Sequence, residues 1–410
     1  MIEEFWENEV APREWNRGTI TGVYKGKGDR EKLQFQRGIT VSSSVSMIIE
    51  QIINERMIKL IPMTQAQGVG KKGSSTRDHV FLIRGATTYA IKSRKNLIVT
   101  FYDVAKAYDR ADVDDMLVTM WEHGMKGKLW RLMKSINTNL TANIRTRNGF
   151  TRKINRIAGG KQGGKNFGFL FAKMMDVMAE DAENDEQLGI MVENLSMALL
   201  EWVDDVVTFA IGEDQQNYTL GKVDEFAIKH KLKWGREKCK VMEVGYGKYQ
   251  EKSWNLGKLN IDSCTEYKYL GDWIQRNGGN KKNLEEREVK VMAATRKIMA
   301  LCDSDVIRKI QLKALIKLHE TCTLPMLLAN CETWTLNKGE REKFQKIELW
   351  ALKKDPKRPN NHANACYMVR HRLPSDPYSH RPTTTTLPKD ADRPTNRRLA
   401  QTNVVRTTEE

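Results

Sequence analysis

No stretch of 18 apolar residues occurs in the chain, so the sequence holds no candidate membrane-spanning helix. Its first residues, MIEEFWENEV, lack the basic-then-apolar order of a secretory signal. Cysteine is scarce: Cys239, Cys264, Cys302, Cys322, Cys331 and Cys366 stand singly, none in a CxxC pair, and the seven histidines are scattered as well. That excludes zinc fingers and zinc knuckles, and predicts reduced, structural thiols in a soluble intracellular protein. Any metal is then expected to be a hard cation held by carboxylates. Proline is rare until the composition changes near residue 355, after which seven of the ten fall in 356–394 beside the TTTT run at 383–386. Such a segment buries too little apolar surface to offset its ordering entropy, which predicts a disordered tail over 351–410.

Positive charge is what the chain has in excess. There are 68 Lys and Arg against 52 Asp and Glu, a formal charge of +16. The excess favours a polyanionic partner, nucleic acid first and an anionic membrane surface second. At 410 residues the chain can bury a substantial core and hold two or three compact units.

Along the chain, a β-leaning stretch at Ile20–Tyr24 runs into a loop with Lys25, Lys27, Arg30, Lys32 and Arg37. This is a phosphate grip or a solvated hairpin tip. Val45, Ile48, Ile49, Ile52, Ile53, Met57 and Leu60 recur at steps of three and four, predicting a core-packed amphipathic helix with N-cap candidates in Ser42–Ser44. The loop QAQGVGKKGSSTRDHV, residues 65–80, carries Lys71, Lys72 and Arg77 but lacks GxxxxGK[ST] spacing, which excludes an NTPase phosphate loop. Leu97, Ile98, Val99 and Phe101 form a short β-rich run ending in Asp103, and an acid at the end of a buried strand faces a crevice more often than bulk solvent. Asp109, Asp112, Asp114 and Asp115 fit caps of the helix that follows. Glycines at 159, 160, 163 and 164 permit a close backbone approach to a ligand, and Phe167–Met178 fits a buried helix. Helices are expected over 215–232 and 283–319, and a strand or tight hairpin over 265–274.

The stretch MALLEWVDDVVTFA, residues 197–210, sets Asp204 and Asp205 between two apolar, β-rich runs and predicts a hairpin with acids at its tip. Two like charges about 4 Å apart at an effective dielectric of about 20 repel by roughly 4 kcal/mol, so a sheet that fixes such a pair implies a cation beside it. An ordinary acidic turn has the same two letters, so the pair needs a second acid elsewhere. Asp103 supplies it.

Taken in order, these pieces resemble the reverse transcriptases of non-long-terminal-repeat (LINE-like) retrotransposons over about residues 10–345. FYDVAKAYD is similar to the first palm motif, GGKQGGKNFGFLF to the second and WVDD to the third. LKWGREKCKVM is similar to the fourth, and YKYLGDWI to the Tyr-Leu-Gly element after it. IIEQIINER and the loop before DHVFLIR resemble the finger region, and TLPMLLANCETWTL a stretch beyond the thumb. The resemblance implies an α+β right-hand polymerase. Fingers would occupy 1–95, a palm with an antiparallel sheet 96–255 (with a finger-like insertion at about 110–160), and a primer-grip element with a helical thumb 256–350.

The implied activity is RNA-directed DNA synthesis, in which deoxynucleoside triphosphates extend a DNA primer on an RNA template by two-metal phosphoryl transfer. Asp103 and Asp204 would hold two Mg²⁺ ions, for which Mn²⁺ can substitute, with Asp205 beside them. Lys238 would be the general acid for pyrophosphate, Arg37 and Lys25 the clasp on the triphosphate, and Tyr108 the gate against a ribose 2′-hydroxyl. Gln162 and Gly163 would shape the nucleotide and template pocket. The resemblance implies nuclear action, no membrane and no particular protein partner, and a chain cut from a longer polyprotein. Phe167-Gly168 replaces the usual Ser-Pro, Lys165 is unusual in its turn, and Trp202, Val203, Gly235 and LQFQRGIT depart similarly, marking a divergent copy. The alternative is a catalytically inactive descendant that binds RNA or DNA through its basic surface. A carboxylate-metal nuclease fits less well, because no acid and histidine cluster accompanies the aspartates.

Overall fold

The structure, a computed structural model, describes residues 2–353 apart from 27, 157–158, 247 and 303–316. The expected tail lies outside the described residues from 354 onward, as do Val306, Ile310 and Leu315 of the helix expected over 283–319. The chain opens with α1 (Ile2–Asn8) and a hairpin of β1 (Arg17–Tyr24) and β2 (Gln36–Val41), then α2 (Ser44–Leu60) and α3 (Thr76–Ser93). β3 (Leu97–Asp103) follows, with α4 (Ala107–Arg110), α5 (Val113–Glu122) and α6 (Gly127–Asn137). The short strands β4 (Thr141–Thr146), β5 (Gly149–Phe150) and β6 (Ile154–Asn155) precede α7 (Phe167–Glu183). Next come β7 (Ile190–Val192), β8 (Leu195–Met197), β9 (Leu199–Trp202), β10 (Asp205–Ile211), α8 (Gly212–Lys229) and β11 (Lys240–Glu243). The described chain closes with β12 (Ser253–Leu256), β13 (Leu259–Ser263), β14 (Glu266–Tyr269), β15 (Asp272–Gln275), α9 (Lys281–Cys302), α10 (Leu324–Leu328) and α11 (Lys338–Lys353).

A six-stranded sheet of order β12-β13-β11-β3-β10-β9 forms the centre. Its middle strand, LIVTFYD, is buried from Leu97 to Tyr102 because both faces are covered. Ile98 and Tyr102 point into one core with Val206, Ala210 and Val241, against apolar residues of α5, α7 and α8. Leu97, Val99 and Phe101 point into the other with Val207, Phe209 and Met242, against Val80, Ile83 and Ala86 of α3 and Tyr269 and Ile274 of the β14–β15 hairpin. This alternation is the period-two geometry of a strand, and it leaves the acid at position 103 where the strand leaves the core. A second sheet of order β2-β1-β4-β5 has β1 antiparallel to β2 and parallel to β4, with β6 also on β4.

α2 departs from its expected form. Ile49, Ile53 and Met57 are buried with Ser46 and Glu50, whereas Val45, Ile48, Ile52 and Leu60 are exposed. The inward face is narrower than the apolar pattern, because buried Glu50 occupies part of it. Glu50 accepts from Ser46 Oγ at 3.0 Å and from Lys161 Nζ at 3.0 Å. Ser43 is the N-cap of α2 without a side-chain bond, while α3 starts on a capping box between Ser75 and Asp78. No described helix is long and apolar enough to cross a membrane.

Candidate active site

The β9–β10 hairpin turns on two residues, Val203 and Asp204. Val203 lies at φ +61°, a left-handed conformation that costs a β-branched residue about 1–2 kcal/mol. Beyond the turn, Asp205 stands directly opposite Asp103 in the antiparallel β10–β3 register. One strand pairing thus sets Asp205 against Asp103, with Asp204 in the turn just before it. Burial pushes the Asp204 carboxyl up, with the Asp103 charge adding to the shift and Lys238 and Arg37 opposing it. Burial, then the charges of Asp204 and Asp103, push Asp205 up to about 7. A site that raises two acids in this way stores a demand for positive charge.

Part of that demand is met by Lys238, whose Nζ donates to Asp103 Oδ1 at 2.6 Å while most of its side chain stays exposed. A backbone turn delivers it. Gly235 N–H donates to Asp103 O at 2.8 Å, and Lys238 N–H donates back to Gly235 O at 2.9 Å. The glycine sits so close that a Cβ there would lie 3.1 Å from Asp103 Oδ2 and 3.3 Å from Asp103 O. Glycine at 235, where the resemblance leads one to expect Asn, is therefore matched to the packing of Asp103.

Tyr108 packs at 5.4 Å from Phe167 and 6.1 Å from Phe171, and its hydroxyl titrates upward through burial and the Asp204 charge. Gly160 N–H donates to Tyr108 O at 3.1 Å, and Thr40 N–H donates to Gln162 O at 2.8 Å, so the 159–164 loop bridges from Tyr108 to β2. Gly163, at φ +120°, passes Thr40 O where a Cβ would sit 3.0 Å away. Arg37 lies on β2 opposite Val23 and acts electrostatically on Asp204. Lys25 lies just past β1, its N–H donating to Phe35 O at 2.9 Å. The structure thus gathers Asp103, Asp204, Asp205 and Lys238 directly, with Arg37 and Tyr108 within electrostatic reach. Gln162 and Gly163 stand on the adjoining loop, and Lys25 belongs to the neighbouring hairpin.

Sequence reasoning missed the polar supports behind these residues. Lys161, buried, donates to Glu50 Oε1 and to Trp15 O, both at 3.0 Å, and Lys165 N–H donates to Glu50 Oε2 at 3.0 Å. Trp202 packs edge-on to His79 at 5.5 Å. A glutamate inside the apolar stripe of α2 was the available signal for the first of these. The second had none.

Among the described residues no group of three or more His, Cys, Asp or Glu side chains forms a ready metal cage. Three carboxylates nonetheless stand together, Asp103 at the end of β3, Asp204 in the turn and Asp205 at the start of β10, with Lys238 bonded to the first. Carboxylate oxygens are hard donors of the kind a hard divalent cation takes.

The mixed α and β fold thus sets aspartates at the end of a central strand and in the neighbouring turn. The chain belongs to the reverse transcriptase (RNA-dependent DNA polymerase) family, which it matches over residues 27–274. Its family chemistry is RNA-directed DNA polymerisation on a nucleic-acid template. No curated protein matches it. Among solved structures, telomerase from Candida albicans in complex with a TWJ fragment of telomeric RNA is similar at 10% identity and a TM-score of 0.46, over 90% of this chain and 68% of that one. Apo telomerase from Candida tropicalis is similar at 14% identity and a TM-score of 0.47, over 84% and 59%. At these scores the likenesses decide nothing further.

Proposed function

We propose that the chain is the reverse transcriptase of a LINE-like retrotransposon, extending a DNA primer with deoxynucleoside triphosphates on an RNA template, and that it acts in the nucleus. The observation that carries the site assignment is the Asp103–Asp205 pairing with Asp204 in the adjoining turn. Asp103 and Asp204 would hold Mg²⁺, or Mn²⁺ in its place, with Asp205 as their neighbour. The bound cations would supply charge stabilisation for the attacking and leaving oxygens. Arg37, and beside it Lys25, would bind the triphosphate, and the basic hairpin they share supports that role. The half-buried ring of Tyr108 would exclude a 2′-hydroxyl. Gln162 and Gly163, on the loop tied to β2, would shape the nucleotide and template pocket. Lys238 would protonate the departing pyrophosphate, its exposed stem allowing the ammonium to leave Asp103.

We assign fingers to 1–95 with an insertion at about 110–160 that includes β4–β6, and the primer-grip element and helical thumb to 256–350. The pairing of β4 with β1 supports the first assignment. The palm would take in 96–255, and the place of β12 and β13 in the central sheet supports carrying it a little further. Primer extension on an RNA template with Mg²⁺ tests the proposal. Asp204→Ala is expected to lower incorporation by about a thousandfold or more while RNA binding persists. Equal incorporation by both proteins would refute the metal assignment, and binding without incorporation by the intact chain would favour an inactive nucleic-acid binder.

A further inference from the structure

Gln67 is fully buried where the loop after α2 meets the outer edge of the central sheet. Ala66 O accepts from Glu201 N–H at 2.9 Å and Gly68 N–H donates to Glu201 O at 2.8 Å, so Gln67 forms an isolated parallel bridge with Glu201 of β9. From that position the carboxamide of Gln67 reaches the acidic turn. Its Oε1 accepts from Val203 N–H at 3.2 Å and from Val69 N–H at 3.2 Å. Its Nε2 donates to Glu201 Oε2 at 3.2 Å and to Ala172 O of α7 at 3.3 Å. All its polar capacity is spent on one task, bracing the turn between the 65–70 loop, β9 and α7. Glu201 is itself wholly buried, and burial pushes its carboxyl well above the usual range.

The braced residue is the strained one. Val203 holds a left-handed φ that its branched side chain disfavours, and Asp204 follows it immediately. A turn in this state relaxes unless its surroundings hold it. We propose that Gln67 is a positioning residue for polymerisation: by accepting the Val203 N–H it holds the strained turn that aims Asp204 and Asp205, and so sets their affinity for divalent cation. This rests on the polymerase reading of the same carboxylates.

The test separates bracing from simple core packing by pairing Gln67→Ala with Val203→Gly, since glycine adopts the positive φ without strain. In Gln67→Ala, hydrogen exchange at the Val203 amide should rise at least about tenfold, because its acceptor is gone. The Mn²⁺ affinity, read by the electron paramagnetic resonance of bound Mn²⁺, should weaken, and kcat for primer extension should fall by about a hundredfold with KM for primer–template unchanged. Adding Val203→Gly should restore most of the Mn²⁺ affinity and kcat, although not the lost thermal stability. Wild-type exchange at Val203 in Gln67→Ala, or a double variant no better than Gln67→Ala, would overturn the proposal. If the intact chain does not extend primers, the polymerase reading fails while the exchange comparison still decides whether Gln67 braces the turn.

Discussion

His79 shows how one side chain ties stability to pH. It is buried, its Nδ1 lies 3.3 Å from the Tyr269 hydroxyl, and Trp202 packs against it edge-on. Desolvation holds its imidazole down to about 4, from an ordinary value of 6.5. The unfolded chain therefore takes up this proton first as pH falls. Stability from this group is complete above about 6.5 and is lost progressively between 6.5 and 4, by up to about 3 kcal/mol. Thermal melts from pH 7.5 to 4.5 should show this decline, and His79→Leu should flatten it. An equal slope in both proteins would mean that other groups carry the acid sensitivity. His79 was not legible as a special residue. It stands in a helix start like any polar residue, and only the packing of Trp202, itself an unusual letter in its motif, gives it a role.

At the scale of elements, the sequence was most legible where alternation and turn chemistry agreed. Leu97–Asp103 and the WVDD hairpin showed their strands through apolar β-rich runs, and the structure places them accordingly. α2 was half legible: its period was correct, but the buried Glu50 shifted which side faced inward. α3 begins inside the stretch 65–80 expected to be a loop, because Ser75 and Asp78 form a reciprocal cap there. Ser75→Ala should cost about 1 kcal/mol, seen as a lower urea midpoint with an unchanged slope. The expected caps at Asp112 are present, its carboxylate accepting from Asp114 N–H at 3.1 Å and Asp115 N–H at 3.3 Å. The braces were illegible for a different reason. Gln67, Lys161 and Glu50 act through partners more than a hundred residues away, and no local pattern encodes such a contact.

For the whole molecule, the excess of sixteen positive charges predicts how it meets RNA. With about six phosphates neutralised on a single strand, raising salt from 50 to 200 mM should weaken binding by about 300-fold. Fluorescence anisotropy with labelled RNA measures this directly, and a salt-independent affinity would exclude the electrostatic footprint. The order of strands in the central sheet has a consequence in time. β3 is flanked by β10 and β11, both of which lie more than a hundred residues later in the chain. At about 5–20 residues per second, a ribosome takes on the order of ten seconds between making β3 and completing its first partner. During that interval a strand buried from Leu97 to Tyr102 in the finished fold has no ladder to join. The pairing that sets Asp205 opposite Asp103 is thus made late in synthesis, and until then β3 is an unpaired apolar strand open to aggregation.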